Sequence, residues 1–151
     1  MNNKQQQIPK IVVGILVYNE ENKIFLGKCR KWGDRWVVPG GHIEWGETLF
    51  ECVKREVKEE TNLEITKIEL IGVQESIFSK EFHEPRHMVF LDYCCKAVNN
   101  DIQLNDEIQE YVWITPKGAL KKFELGKATT EFIKKFISRS GFHSDQIDAG
   151  A

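Results

Sequence analysis

Apolar residues recur in short runs along the chain, and several runs alternate with polar residues as β-strands do. The run Ile11–Tyr18 is apolar at nearly every position, which is typical of a strand buried on both faces. Residues 23–30 alternate and follow the turn-forming residues 19–22, so the two runs predict a hairpin. The same reading predicts strands or strand-rich segments at four later places: 36–38, 65–78, 87–97 and 111–114.

The clearest helical pattern covers residues 48–61. Thr48 followed three positions later by Glu51 forms a capping box, so the helix should begin at Thr48. Asn62 stands where the helix should end, and asparagine adopts the left-handed conformation of a C-terminal cap more readily than other residues with a side chain.

Two further helices are predicted near the end of the chain. Thr115 followed by Pro116 is typical of an N-cap and first helical residue, and residues 128–138 carry apolar side chains on one helical face, with Gly141 beyond. The order of strands and helices predicts a single domain of the mixed α/β or α+β class. We therefore expect three segments: a flexible N-terminus at 1–9, a domain at 10–138 and a flexible tail at 139–151.

Composition narrows the class of protein. The chain has 151 residues, of which 41% are hydrophobic and 29% charged, with a formal net charge of -2, so neither a disordered chain nor bulk attraction to nucleic acid or membrane is expected. Its longest apolar run is too short to span a bilayer, and the start does not resemble a secretory signal. The four cysteines lack zinc-ligand spacing, which favours buried, reduced thiols in a cytoplasmic protein.

The acidic residues of the first helix lie on an unexpected side. At about 100° per residue, Glu56 and Glu60 fall within the apolar stripe and Glu59 falls beside it. Lys54 and Lys58 fall on the opposite, solvent-facing side of the helix. If the glutamates only formed a solvated polar face, they would be expected on that side as well. The stripe itself is formed by apolar residues: Leu49, Cys52, Val53 and Val57.

Carboxylates crowded on the inward side of a helix require a positive partner, because desolvation and mutual repulsion oppose their ionisation. Mg²⁺ and Mn²⁺ prefer oxygen ligands and keep open positions for substrate phosphates. The spacing therefore predicts a divalent-metal site, with Arg55 able to pair with Glu59 one turn later.

The residues around this helix match a longer signature. Gly41, five residues, Glu47, seven residues and then residues 55–63 (REVKEETNL) resemble the Nudix box, G-x5-E-x7-R-E-U-x-E-E-x-G-U, in which U is a bulky aliphatic residue. Asn62 replaces the last glycine of the pattern, and this is the one departure. The segments 36–41 and 107–116 also look like parts of this family.

This resemblance implies a Nudix fold, an α/β/α sandwich around a mixed β-sheet. It implies Mg²⁺- or Mn²⁺-dependent hydrolysis of a nucleoside diphosphate linked to a moiety X, by attack of water on phosphorus. By position, Glu56, Glu59 and Glu60 would be metal ligands, with a backbone carbonyl from Gly40 or Gly41. Glu56 would also orient or deprotonate the attacking water. Catalytic support would come from two further residues: Arg55 and Glu47.

Several residues outside the box are weaker candidates. Glu107 is a candidate metal ligand or base, whereas Glu110 is expected to be a surface acid on an edge strand. The candidate substrate-binding residues are Lys28, Arg30, Arg35 and Trp45. Trp36 is expected in the core, Trp32 could stack on a base, and a structural role is favoured for His87.

The substrate is predicted from the segments after the box. Neither the proline typical of ADP-ribose pyrophosphatases nor the tyrosine of dinucleoside polyphosphate hydrolases stands at the expected distance, since residues 77–82 are IFSKEF. Residues 102–129 instead look like bacterial, MutT-like nucleoside triphosphatases, which release the monophosphate and pyrophosphate. An ADP-ribose or nucleotide-sugar pyrophosphatase and a non-catalytic nucleotide-binding module are the alternatives. Dimerisation is common in the family, and a homodimer is therefore a possible assembly.

Overall fold

A computed structural model describes residues 7–150 and the side chains of residues 7–139. The described residues form seven strands and three helices around one sheet. In chain order the strands are β1 Lys10–Tyr18, β2 Ile24–Cys29, β3 Arg35–Val37, β4 Gly40–His42, β5 Ile65–Ile77, β6 His87–Ala97 and β7 Ile108–Ile114. The helices are α1 Leu49–Thr61, α2 Pro116–Lys122 and α3 Lys127–Gly150.

The sheet is mixed, with β1 at its centre. The strand order is β3-β2-β1-β6-β5, while β4 pairs with β1 and β7 with β2. β1 runs parallel to β6, and the other pairings are antiparallel. The central, doubly buried position of β1 explains why its sequence is apolar on both faces.

Helices cover both faces of the sheet, as the predicted α/β/α sandwich requires. α1 packs on one face through Cys52, Val53 and Val57, against alternate residues of β1. α2 and α3 pack on the other face against a second cluster that includes Leu16 and Phe132. All four cysteines are buried and free, as predicted. No helix in the described part of the chain is long and apolar enough to cross a membrane.

One strand was not predicted, and two element boundaries differ from the sequence prediction by more than one residue. β4 was missed, since Gly40-Gly41 shows no alternation and follows a proline, yet it pairs with β1 at Val13 and Gly14. β7 begins at Ile108 rather than 111. α3 continues past 138 to Gly150, because a glycine such as Gly141 inside a helix costs only about 1 kcal/mol relative to alanine and need not end it.

The predicted terminal segments are only partly described. Residues 1–6 of the N-terminal segment 1–9 lie outside the described residues, and residues 7–9 precede β1 without regular structure. The flexibility of segments 1–9 and 139–151 stays a prediction.

The strand directions bring several loops to one edge of the sheet. β1 and β6 both begin at this edge, since Lys10 pairs with Met88. β2 and β5 both end there, so segments 30–34 and 78–86 lie at the same edge. β4 ends there as well, with His42 opposite Val12. Residues far apart in the sequence therefore meet beside α1.

A buried carboxylate lies on the face of the sheet that α3 covers. Asp92 is only 2% exposed, and its Oδ2 accepts a hydrogen bond of 2.6 Å from Gln74 Nε2. Burial raises the pKa of Asp92 to about 6, although Gln74 and the Lys135 ammonium act in the opposite direction. The folded protein therefore holds a proton on Asp92 in a pH range where the unfolded chain has released it.

Asp92→Asn is expected to stabilise the protein at pH 8, where Asp92 carries a buried charge. Because the folded pKa is raised, wild-type stability falls as pH rises from about 4 to about 6 and stays lower above it. The gain from the variant is expected to be at most about 3 kcal/mol at pH 8, and to shrink towards pH 4. Urea unfolding at both pH values measures it, with exposed Asp101→Asn as control; a variant less stable than wild type at pH 8 contradicts the account.

Candidate active site

α1 begins and ends where its sequence predicts. Thr48 accepts a hydrogen bond of 3.1 Å from Glu51 N, and the Glu51 side chain accepts one from Thr48 N, so both halves of the capping box are formed. Asn62 has a φ of 67°, in the left-handed region, and its N–H donates to Lys58 O. An asparagine in place of the last glycine of the box therefore performs the same capping role.

Glu56, Glu59 and Glu60 of α1 are buried to different extents. The whole Glu60 residue is only 6% exposed. The Glu56 side chain is 13% exposed, and that of Glu59 is 54% exposed. Glu56 and Glu60 thus lie inward as the helical spacing predicts, whereas Glu59 lies at the solvent-facing margin.

Arg55 connects these acids to the loop that precedes α1. Its Nε lies 2.6 Å from Glu47 Oε2 and its Nη2 lies 3.0 Å from Glu47 Oε1, a bidentate pair. Its Nη1 reaches Glu56 Oε1 at 2.8 Å and Glu59 Oε2 at 3.3 Å. Nη2 also donates to the His42 carbonyl at 3.2 Å, which ties the helix to the end of β4.

The two ends of this network differ in their electrostatics. The hydrogen bond from Arg55 lowers the pKa of Glu47 to about 2, and Glu47 in turn raises the pKa of Arg55. Burial raises the pKa of Glu56 and of Glu60. The neighbouring carboxylates of Glu56 and Glu107 raise the pKa of Glu60 further. Glu47 and Arg55 thus form a stable ion pair, whereas burial opposes the ionisation of Glu56 and Glu60.

β4 supplies backbone beside these carboxylates. Gly40 N donates a hydrogen bond of 3.2 Å to Glu60 Oε2. A Cβ on Gly41 would overlap the carboxylate of Glu56, so the close approach of the strand to α1 requires glycine there. The missed strand therefore positions the site as directly as α1 does.

The residues fit a divalent cation, although their side chains do not converge on one point. Within residues 7–139, no group of three or more His, Cys, Asp or Glu side chains is arranged to hold a metal ion. Glu56 and Glu59 are turned to Arg55, and Glu60 is turned to Gly40. The donor set is nevertheless composed of oxygens, and a cation would relieve the repulsion that raises the pKa of Glu60.

The structure also locates the acids predicted outside the box. Glu107 is exposed in the turn before β7, near enough to Glu60 to raise its pKa. Glu110 is an exposed residue of β7, and its Oε1 lies 3.4 Å from Lys28 Nζ. Glu107 therefore joins the acidic group of the site, whereas Glu110 pairs with a cation on the neighbouring strand.

The predicted substrate-binding side chains are more dispersed. Arg35 Nη1 pairs with Glu81 Oε2 at 3.3 Å. Arg30 is exposed, and its backbone N–H donates to Gln109. Trp45 is fully exposed in the loop before α1. Their roles in binding stay predictions.

The aromatic and histidine candidates also have defined places. Trp36 packs against the second core cluster and stacks on Phe123, as expected for a core residue. Trp32 lies in a 3₁₀ turn at the edge of the sheet where β1 and β6 begin, and it packs on Phe82. His87 is the first residue of β6 and pairs with Ile77.

Sequence reasoning missed a group of cations at this edge. Burial lowers the pKa of His42, and the charges of Lys10, Lys31 and Arg86 lower it further, so all three lie near the end of β4. They come from three separate segments of the chain, and no local pattern links them. Only the strand pairing brings them together.

Comparison with known proteins decides the family. The model of the NUDIX domain matches residues 8–136. The chain belongs to the Nudix family. Nucleoside triphosphatase NudI of Escherichia coli O81 (strain ED1a) is 30% identical over 118 residues, which cover 70% of this chain and 83% of NudI.

Solved Nudix structures share the fold. The NUDIX domain of Shewanella oneidensis NrtR, complexed with ADP ribose, aligns with a TM-score of 0.75 and 17% identity, over 92% of this chain and 93% of its own. The MutT protein of Methanosarcina mazei Go1 aligns with a TM-score of 0.73 and 26% identity, over 89% and 97%. Together with the family match, these findings confirm the fold and identify the protein as a Nudix hydrolase, a pyrophosphate-cleaving enzyme.

Proposed function

We propose that this Nudix hydrolase cleaves nucleoside triphosphates to the monophosphate and pyrophosphate, with Mg²⁺ or Mn²⁺ held by Glu56, Glu59 and Glu60. The Gly41 carbonyl completes the ligand set in this proposal. The observation that carries it is the pair of inward carboxylates on α1, set against glycine backbone of β4 and joined to Arg55. The likeness to the triphosphatase NudI supports the choice of substrate.

Each residue of the site has a separate role in the proposed hydrolysis. When bound, a divalent cation neutralises phosphate charge and makes water more acidic. Glu56 orients the attacking water and accepts its proton, and one P–O bond of the bridge between the α- and β-phosphates breaks, which separates the monophosphate from pyrophosphate. Arg55 holds Glu56 in place at 2.8 Å, and Glu47 fixes Arg55 through two hydrogen bonds. No covalent protein intermediate is needed, and Cys52 is buried in the core.

A second candidate substrate has a specific observation behind it. The NrtR domain, whose backbone superposes on 92% of this chain, was solved with ADP ribose. An ADP-ribose or nucleotide-sugar pyrophosphatase would use the same carboxylates on a different leaving group. A non-catalytic binding module is disfavoured, because every acidic position of the box is retained. Cytoplasmic localisation and a homodimer stay predictions.

Incubation with a panel of nucleotides and Mg²⁺, with products separated by chromatography, tests the substrate. We expect nucleoside triphosphates to yield monophosphate and pyrophosphate in equal amounts, and no reaction when the cation is chelated. Reactions in ¹⁸O-labelled water identify the phosphorus that water attacks, because the label enters the monophosphate after attack at the α-phosphorus and pyrophosphate after attack at the β-phosphorus. Turnover of ADP-ribose or a nucleotide sugar without turnover of any triphosphate would contradict the proposal.

A further inference from the structure

Asn62, the residue at which the chain departs from the Nudix pattern, makes a contact that glycine cannot make. Its φ of 67° lies in the left-handed region, and its backbone N–H ends α1 by donating to Lys58 O. Its side-chain Nδ2 donates a further hydrogen bond of 3.0 Å to the carbonyl of Asp101. A glycine would supply the cap but not this side-chain donor. The side-chain bond therefore indicates a role beyond the end of the helix.

The acceptor of this bond lies in the loop between β6 and β7, residues 98–107. Close by in the same loop, Gln103 N donates a hydrogen bond of 3.0 Å to the carbonyl of Thr61. Thr61 is the last residue of α1, so no residue of the helix can satisfy its carbonyl. The two bonds lie on either side of Ile102 and both join the loop to the C-terminal end of α1.

The same loop carries Glu107, the acid outside the box that joins the site. Leu104 of the loop and Ile108, the first residue of β7, pack against the core cluster that includes Val57 of α1. Glu107 directly precedes Ile108, so this packing keeps it beside the helix. The bonds at 101–103 hold the segment of chain that leads to Glu107, and they therefore influence where its carboxylate lies.

We propose that Asn62 is a positioning residue for the hydrolysis. Its side chain holds loop 98–107 to the end of α1 and so sets the position of Glu107 beside the carboxylates of the helix. The inference rests on the proposed function, because Glu107 is assigned to the same cation site. Asn62 acts through Glu107 rather than on the substrate, and a shift of a catalytic group by about 1 Å is enough to slow a reaction markedly.

Asn62→Gly tests this role by restoring the residue of the family pattern. The cap is kept and the donor to Asp101 is lost. We expect kcat to fall by about tenfold with KM nearly unchanged. The melting temperature should stay close to that of wild type, because glycine adopts a positive φ more readily than asparagine, which offsets the lost hydrogen bond. Steady-state kinetics with Mg²⁺ and a thermal melt measure both.

Asn22→Gly is the matched control. Asn22 is also an exposed asparagine with a positive φ, 58°, but it lies in the turn between β1 and β2, which the side chain of Asn19 holds through two hydrogen bonds. The same chemical change there should leave kcat as in wild type. An equal loss of kcat in Asn22→Gly would overturn the proposal.

A double-mutant cycle with Glu107→Gln separates positioning from a general structural effect. If Asn62 acts through Glu107, Glu107→Gln should lower kcat at least as much as Asn62→Gly does. Adding Asn62→Gly to Glu107→Gln should then lower kcat by no more than about twofold. Losses that multiply in the double variant would overturn the proposal, as would wild-type kcat in either single variant.

Amide hydrogen exchange measures the tether without turnover. Residues 98–107 are expected to exchange about tenfold faster in Asn62→Gly than in wild type or Asn22→Gly, since one of the bonds that close the loop is lost. Unchanged exchange in Asn62→Gly would contradict the tether. The cycle uses whichever nucleotide the panel shows to be hydrolysed, so a failure of the triphosphates rejects the proposed substrate and not the role of Asn62.

Discussion

Glu56→Gln and Glu60→Gln are each expected to lower turnover by about a thousandfold while the protein stays folded. Each change keeps the size of the side chain and removes one charge that would hold the cation. Glu60→Gln also removes a buried carboxylate whose pKa is raised by desolvation and by Glu56, so we expect its melting temperature to be at least that of wild type. Steady-state kinetics with Mg²⁺ and a thermal melt measure the two effects.

Glu64→Gln is the matched control for this experiment. Glu64 follows α1, is exposed, and pairs with Lys58 at 2.8 Å on the surface, so its loss should leave turnover unchanged. Activity near that of wild type in both Glu56→Gln and Glu60→Gln would refute the metal assignment. A large loss in Glu64→Gln would mean that the charge of the region, rather than these two carboxylates, governs the rate.

Gly41→Ala is expected to lower turnover by about a hundredfold with little loss of stability. The new methyl group would occupy the space of the Glu56 carboxylate, which would have to leave its contact with Arg55. The φ of Gly41 is not positive, so alanine fits the backbone and the strain falls on the side chain of Glu56. The rate is measured at saturating Mg²⁺ and substrate.

Gly46→Ala gives the opposite pattern and serves as the control. Gly46 has a φ of 83°, where alanine is strained, yet no atom lies within 4 Å of its added Cβ. We expect this variant to lose stability, by about 1 kcal/mol, and to keep its turnover. Equal turnover in Gly41→Ala and wild type would show that the close packing of β4 on Glu56 has no catalytic importance.

The sequence predicts the parts of the site that depend on local rules. Thr48 and Glu51 define the start of α1 within four residues, and Asn62 defines its end by a backbone preference. The 100° rotation per residue is enough to place Glu56 and Glu60 on the inward side. These features need no knowledge of the rest of the chain, which is why the structure reproduces them.

The remaining features depend on contacts between distant segments. Lys28 and Arg35 are cations near the box in sequence. In the structure Lys28 forms an ion pair with Glu110, and Arg35 forms one with Glu81, both from later segments of the chain. Arg86 reaches Trp32 only because β5 ends where β2 ends. β4 carried no hydrophobic pattern, since its pairing with β1 depends on glycines that pack closely.

We propose that the carboxylates of α1 hold the cation at which a pyrophosphate is cleaved. Electron paramagnetic resonance of Mn²⁺ titrated into the protein measures this directly, because the signal of the free ion is lost when it binds. We predict saturable binding by the wild-type enzyme and by Glu64→Gln, and binding weakened by about a hundredfold or more when Glu56 and Glu60 are both replaced by Gln. Mn²⁺ binding by that double variant equal to wild type would contradict the account.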